Sequence, residues 1–116
     1  MKIGLLGYQK MPDAFSTWLE SSDIEIKQYK STAEFVLDQK KSLLALLVST
    51  FQLDNGSIVS LIQQYPDIAQ DVNLVVTECK GVSQAVQAMQ VGAKEALPDK
   101  IQSAKLMALG NQYANH

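Results

Sequence analysis

The sequence predicts an α/β domain, a doubly wound, five-stranded parallel sheet in the order 2-1-3-4-5 with helices on both faces. Three observations carry this. Short apolar runs bounded by turn residues alternate along the chain with segments whose apolar residues recur at helical spacing. The most apolar run, Leu43 to Val48, falls mid-chain, where such a sheet has its central strand. The intervening segments are long enough for right-handed crossovers, which join parallel strands and place helices on the two faces.

Residues 2–7, Lys-Ile-Gly-Leu-Leu-Gly, form a first strand that Gly7 ends. Pro12 and Asp13 suit a helix first turn, and Met11, Phe15, Trp18 and Leu19 then give helix one its apolar stripe. Ile24 and Ile26 alternate with Glu25 and Lys27, the period-two pattern of a strand half open to solvent at a sheet edge. Ser31-Thr32-Ala33-Glu34 matches a capping box, worth about 1 kcal/mol where it forms. It opens a short helix two through Phe35-Val36-Leu37, before Lys40-Lys41.

Leu43 to Val48 is strand three. After the loop Phe51–Gly56, residues Ile58, Leu61, Ile62 and Tyr65 share one face of helix three, which Pro66 stops. Val72 to Val76 is strand four, ended by Thr77-Glu78-Cys79. Val82, Ala85, Val86 and Met89 build helix four, closed by Gly92 in the left-handed region. Ala96-Leu97 is a brief strand five, and Ile101 through Tyr113 is helix five, with Gly110 fraying its last turn.

Bulk properties narrow the function classes. At 116 residues the chain has the size of one domain, and its 47% hydrophobic and 19% charged residues are a globular balance. The net charge is −2, and all ten basic residues are scattered lysines. Without clustered basic residues or any arginine, the chain lacks the phosphate-neutralising surface and planar fork of a nucleic-acid reader. The longest apolar run is far short of the ~20 residues that span a bilayer, so no membrane contact is expected. The lone Cys79 fits a reducing compartment, and the expected location is cytoplasmic.

In doubly wound folds ligands sit beyond the carboxyl ends of the strands. That directs attention to Gly7-Tyr8-Gln9, Val48-Ser49-Thr50, Thr77-Glu78 and Pro98-Asp99-Lys100.

The sequence resembles the receiver domain of two-component response regulators over nearly its whole length. Leu74-Val75-Val76-Thr77 resembles that family's fourth strand with its terminal hydroxyl residue. Ala85-Val86-Gln87-Ala88-Met89-Gln90-Val91-Gly92-Ala93 resembles its fourth helix and Gly-Ala turn, and Ala96-Leu97-Pro98 stands where the family has an aromatic residue, Leu and often Pro. The resemblance implies a single flavodoxin/CheY-like domain over residues 1–116. It also implies a regulatory role in signal transduction, as the N-terminal part of a larger two-component or transcription regulator.

Phosphoryl transfer in that family needs an Asp nucleophile at the end of strand three and an acidic pair after strand one to hold Mg²⁺, a cation that wants carboxylate oxygens. Here Gly7 and Tyr8 stand at the acidic pair. Counting back from Gly56 puts the acceptor position at Val48, or at Ser49 if the loop is one residue shorter. The lysine position reads Asp99, with Lys100 one residue late, and Thr77 alone keeps its family identity. The expectation is a degenerate phosphorylation site with no catalytic residue, no metal and no cofactor. Thr77 then reads as a β-branched strand terminator, and Asp13 and Asp54 read as helix-capping acids.

Other motifs fall away. Gly4-Leu5-Leu6-Gly7 lacks the third glycine of a dinucleotide fingerprint and starts inside the strand. The single His116 ends the sequence and has no companion ligand. Cys79 lies near Lys80, but an ordinary small residue explains it more simply than a reactive thiol.

Two function classes remain. The first is a phosphorylation-independent interaction or dimerisation module. The family's usual partner face, helix four, strand five and helix five, implies Val86, Gln87, Gln90, Ala96, Lys105 and Leu109 as contacts for a protein partner or a second copy. The second is a sensor of small anionic ligands, with Lys10, Lys80, Lys100 and helix N-termini around the strand-end crevice.

Overall fold

A computed structural model describes residues 2–8, 25–38, 44–54, 56–100 and 103–114. In chain order its elements are β1 (Lys2–Leu6), β2 (Glu25–Tyr29), α1 (Thr32–Asp38), β3 (Leu46–Thr50), β4 (Gln52–Leu53), β5 (Gly56–Ser57), α2 (Ile58–Gln64), α3 (Asp67–Asp71), β6 (Asn73–Thr77), α4 (Gly81–Gln90), β7 (Glu95–Ala96) and α5 (Ser103–Leu109). The helix-one stripe of Met11, Phe15, Trp18 and Leu19 lies outside the described residues.

The main sheet runs β2-β1-β3-β6-β7 with every pair parallel, the doubly wound order that the alternating pattern predicts. The burial of β3 and β6 explains why they occupy its middle. Successive strand residues point to opposite faces, and both faces here are apolar. Leu47, Leu74 and Val76 pack on one face with Phe35, Ile58, Leu61 and Ala88 from the helices. Leu46, Val48 and Val75 pack on the other with Ile3, Leu5 and Leu109. Each of these buried Val, Leu, Ile and Phe side chains stabilises the fold by about 1.5–3 kcal/mol, and the Ala88 methyl by less.

Local signals set the helix boundaries. Ser31 Oγ accepts the Glu34 N–H at 3.1 Å, at the start of α1. Helix α2 begins with a reciprocal cap in which Ser57 Oγ accepts the Ser60 N–H at 3.2 Å and Ser60 Oγ accepts the Ser57 N–H at 3.1 Å. Asp54 is therefore not the cap of that helix. It accepts from the Thr32 N–H at 3.1 Å, and from the Thr32 hydroxyl, at the start of α1 instead. Pro66 ends the predicted third helix, but the chain re-enters helix at once as α3. Gly92 takes φ +112° after α4, as a helix-closing glycine does. At the last helix, α5 widens over Gly110–Ala114 into a π-helical turn in place of the expected fraying.

Strand three is displaced from its expected place. The apolar run begins at Leu43, but the strand occupies Leu46–Thr50 and ends on two hydroxyl residues. Ser49 and Thr50 can be buried there because each hydroxyl bonds a backbone carbonyl, Thr50 O at 2.9 Å and Gln52 O at 2.7 Å respectively. The antiparallel hairpin β4–β5 follows directly and turns the chain toward α2.

Candidate functional site

Three central strands finish at one level. Leu6 lies opposite Ser49, and Thr50 lies opposite Thr77, so the residues just past β1 meet the last residues of β3 and β6. Gly7 turns the chain there with φ +89°, a conformation that side-chain-bearing residues rarely adopt. A Cβ built on Gly7 would lie 2.1 Å from Thr50 Oγ1 and 3.1 Å from Leu53 Cδ2. The rim is closed to a side chain at this point.

Tyr8 follows. Its backbone carbonyl accepts from Gln28 Nε2 at 2.8 Å, and its ring packs against the Val48, Val75 and Leu109 side of the core. Its hydroxyl is hydrogen-bonded to Thr77 Oγ1, which itself lies 3.5 Å from the Ser49 carbonyl. Burial pushes the Tyr8 phenol well above the usual tyrosine range. The Thr77 bond offsets part of this, and negative charge at Glu78 and Cys79 adds to it. Tyr8 therefore stays neutral, and its hydroxyl bridges two strands that are not neighbours in the sheet.

The residues singled out from sequence divide sharply. Gly7, Tyr8, Ser49 and Thr77 do converge at the rim. Val48 does not, because the displaced strand puts it mid-strand, fully buried in the Ile3–Leu5–Val75 cluster, and this corrects its placement as an acceptor position. Ser49 is also fully buried, with its hydroxyl turned to a backbone carbonyl. Asp99 and Lys100 are exposed on the loop after β7, where the Asp99 carbonyl accepts the Glu78 N–H at 3.2 Å. Thr50, one of the strand-end residues singled out from sequence, is the true end of the strand, although the acceptor position was expected at Val48 or Ser49. Only its β-branched character hinted that the strand reached so far.

Mg²⁺ of the kind receivers hold does not fit these residues. Among the described residues the rim presents glycine, a neutral phenol and hydroxyls engaged with protein partners, whereas a hard cation needs several anionic oxygens. Among the described residues no group of three or more His, Cys, Asp or Glu side chains could hold a metal ion. A hollow of about 390 Å³ opens beside the rim, bordered by Gly7, Tyr8, Gln28, Lys30 and Asp54. Lys80 and Lys100 do not border it, and Lys10 lies outside the described residues.

A second region lies at the β7 edge. Helix α4, GVSQAVQAMQ, carries no charged residue, and it leaves Val82, Val86 and Met89 exposed at 79%, 46% and 48%. A shallow depression of about 540 Å³ is lined there by Ala85, Val86, Met89, Gln90, Ala96 and Leu97. Gln87 is exposed and bonds Ser83 Oγ at 3.3 Å. Glu95 anchors the neighbouring helix, pairing with Lys105 at 3.3 Å and accepting from the Tyr113 hydroxyl at 3.2 Å. Leu109 is a correction. It points inward, 1% exposed, and belongs to the core.

No family model matches the sequence, and no curated protein does. Solved structures do resemble it. A two-component response regulator from Clostridium difficile superposes with a TM-score of 0.80 at 17% identity, over 100% of this chain and 97% of that one. The beryllofluoride-activated NtrC4 receiver domain dimer gives 0.77 at 22% identity, over 97% and 94%. A response regulator receiver protein from Pseudoalteromonas atlantica gives 0.77 at 21%, over 99% and 98%. The chain thus has the α/β, CheY-like fold of response-regulator receiver domains.

Proposed function

We propose that this chain is a receiver-like regulatory domain of cytoplasmic signal transduction that works without aspartyl phosphorylation and without enzymatic activity of its own. The observation that carries this reading is the Gly7–Thr50 contact, which fills the rim where a receiver needs carboxylates. Signalling output then has to come from binding. The surface that suits binding is the uncharged α4 face with β7 and α5, where exposed Val86 and Met89 flank an apolar depression. The solved NtrC4 receiver is a dimer, which supports association as a mode open to this fold.

Two measurements test the proposal together. Incubation with acetyl phosphate and Mg²⁺, followed by intact-mass spectrometry, should return the unmodified mass, and an acid-stable, base-labile phosphate adduct would overturn it. Sedimentation across a concentration series should show association that Val86→Asp abolishes. Association untouched by that substitution would remove α4 from the interface.

A further inference from the structure

The Tyr8 hydroxyl does more than fill a space left by absent acids. It starts from the end of β1, crosses the end of β3 and reaches Thr77 at the end of β6. On its own side it is held by Gln28 of β2, through the Tyr8 carbonyl at 2.8 Å. On the far side, the residues directly after Thr77 are stitched to the loop beyond β7. Glu78 takes φ +57°, its N–H donates to the Asp99 carbonyl at 3.2 Å, and the Cys79 N–H donates to the Leu97 carbonyl at 3.0 Å. The Leu97 N–H in turn donates to the Val76 carbonyl at 2.8 Å. Leu97 also lines the α4–β7 depression. One continuous set of bonds therefore runs from the edge strand β2, through Tyr8 and Thr77, to the surface at the opposite edge of the sheet.

We propose that the Tyr8–Thr77 bond is a latch that holds the Glu78–Cys79 and Leu97–Asp99 segments in register and so fixes the shape of the α4–β7 surface. Thr77 has a second partner in reach, the Ser49 carbonyl at 3.5 Å, so its hydroxyl stays satisfied when Tyr8 leaves. Release of Tyr8 loosens the far edge without exposing an unpaired polar group at Thr77. This coupling concerns the fold of the domain and holds whatever binds the α4 face.

Residue-resolved amide hydrogen exchange tests it on the whole chain. In Tyr8→Phe and in Thr77→Val, the amides of Glu78, Cys79 and Leu97 should exchange about three- to tenfold faster, the scale of one lost hydrogen bond. The Phe35 amide, in α1 beside β2 at the opposite edge of the sheet, should keep its wild-type rate. Thr77→Ser, which retains the hydroxyl, should keep protection at all these sites. Unchanged exchange at Glu78, Cys79 and Leu97 in Tyr8→Phe would overturn the latch. So would a uniform acceleration that includes Phe35, which reports general destabilisation.

Discussion

Gly7 and Thr50 meet at the mouth of the sheet with no room for a side chain between them, since a Cβ on Gly7 would stand 2.1 Å from Thr50 Oγ1. Two separate penalties attach to any substitution there. One is the left-handed backbone at φ +89°, which costs a non-glycine residue about 1–2 kcal/mol. The other is the overlap itself, typically about 1–3 kcal/mol.

Gly7→Ala and Gly7→Asp should therefore each lower stability by about 2–5 kcal/mol in urea denaturation. Combining either with Thr50→Ala should recover part of the loss, because the overlap is relieved while the backbone penalty remains. Mg²⁺ should add no stability to Gly7→Asp, since one carboxylate among hydroxyls is not a magnesium site. Full additivity of the Gly7 and Thr50 substitutions would show that the two residues do not touch.

How far sequence reading reached follows from the range of each interaction. The sheet order was legible because it depends on the alternation of apolar runs and helical stripes, which is local. The end of strand three was not, because hydropathy stops at Val48 while the ladder continues through Ser49 and Thr50. Those two are buried polar residues made tolerable by bonds to nearby carbonyls, and hydropathy has no sign for that. Tyr8 could be seen as a missing acid but not as a strap, since its partner Thr77 lies 69 positions away. Asp54 had the residue type of a cap, and only the fold shows that it serves the helix at Thr32, 22 positions back, while Ser57 caps its own.

Glu78 is held at φ +57°, where the residue's Cβ is crowded and glycine is not. Glu78→Gly should raise stability by about 0.5–1 kcal/mol, the backbone relief exceeding the entropy that glycine adds to the unfolded chain. Thermal unfolding would check this. A loss of stability would mean that the Glu78 side chain makes a contact worth more than the strain.

Alkaline pH should destabilise the domain through groups kept neutral by burial. Burial raises the Cys79 thiol, and burial first, then the bond to Asp38, raises Tyr29, as burial raises Tyr8. Each folded-state value lies above the unfolded one, so their contribution is intact below the unfolded values, near pH 8.5 for the thiol and about 10 for the phenols. Above those values the unfolded chain loses protons that the folded chain keeps, and stability falls as pH rises. Urea midpoints from pH 7 to 10.5 should decline, and Tyr8→Phe should flatten the part of the decline above about pH 10. A flat wild-type profile would show that these groups are not protected by the fold.

Leu109 and Val86 were expected on one surface, and the structure separates them. Leu109 is 1% exposed against Ile3, Leu5, Leu46, Val48 and Val75, so its truncation leaves a cavity between helix and sheet. Leu109→Ala should cost about 2–5 kcal/mol. Val86 stands 46% exposed at the lip of the α4–β7 depression, where a polar side chain can turn to water. Val86→Asp should stay within about 0.5 kcal/mol of wild type in stability, because surface changes away from caps and networks seldom do more. Its effect should appear in association alone. The pair therefore works as a control for any binding experiment on this face: loss of binding in Val86→Asp at unchanged stability reports the surface, and loss in Leu109→Ala reports unfolding. Equal stability of the two variants would mean that α5 does not pack on the sheet as described.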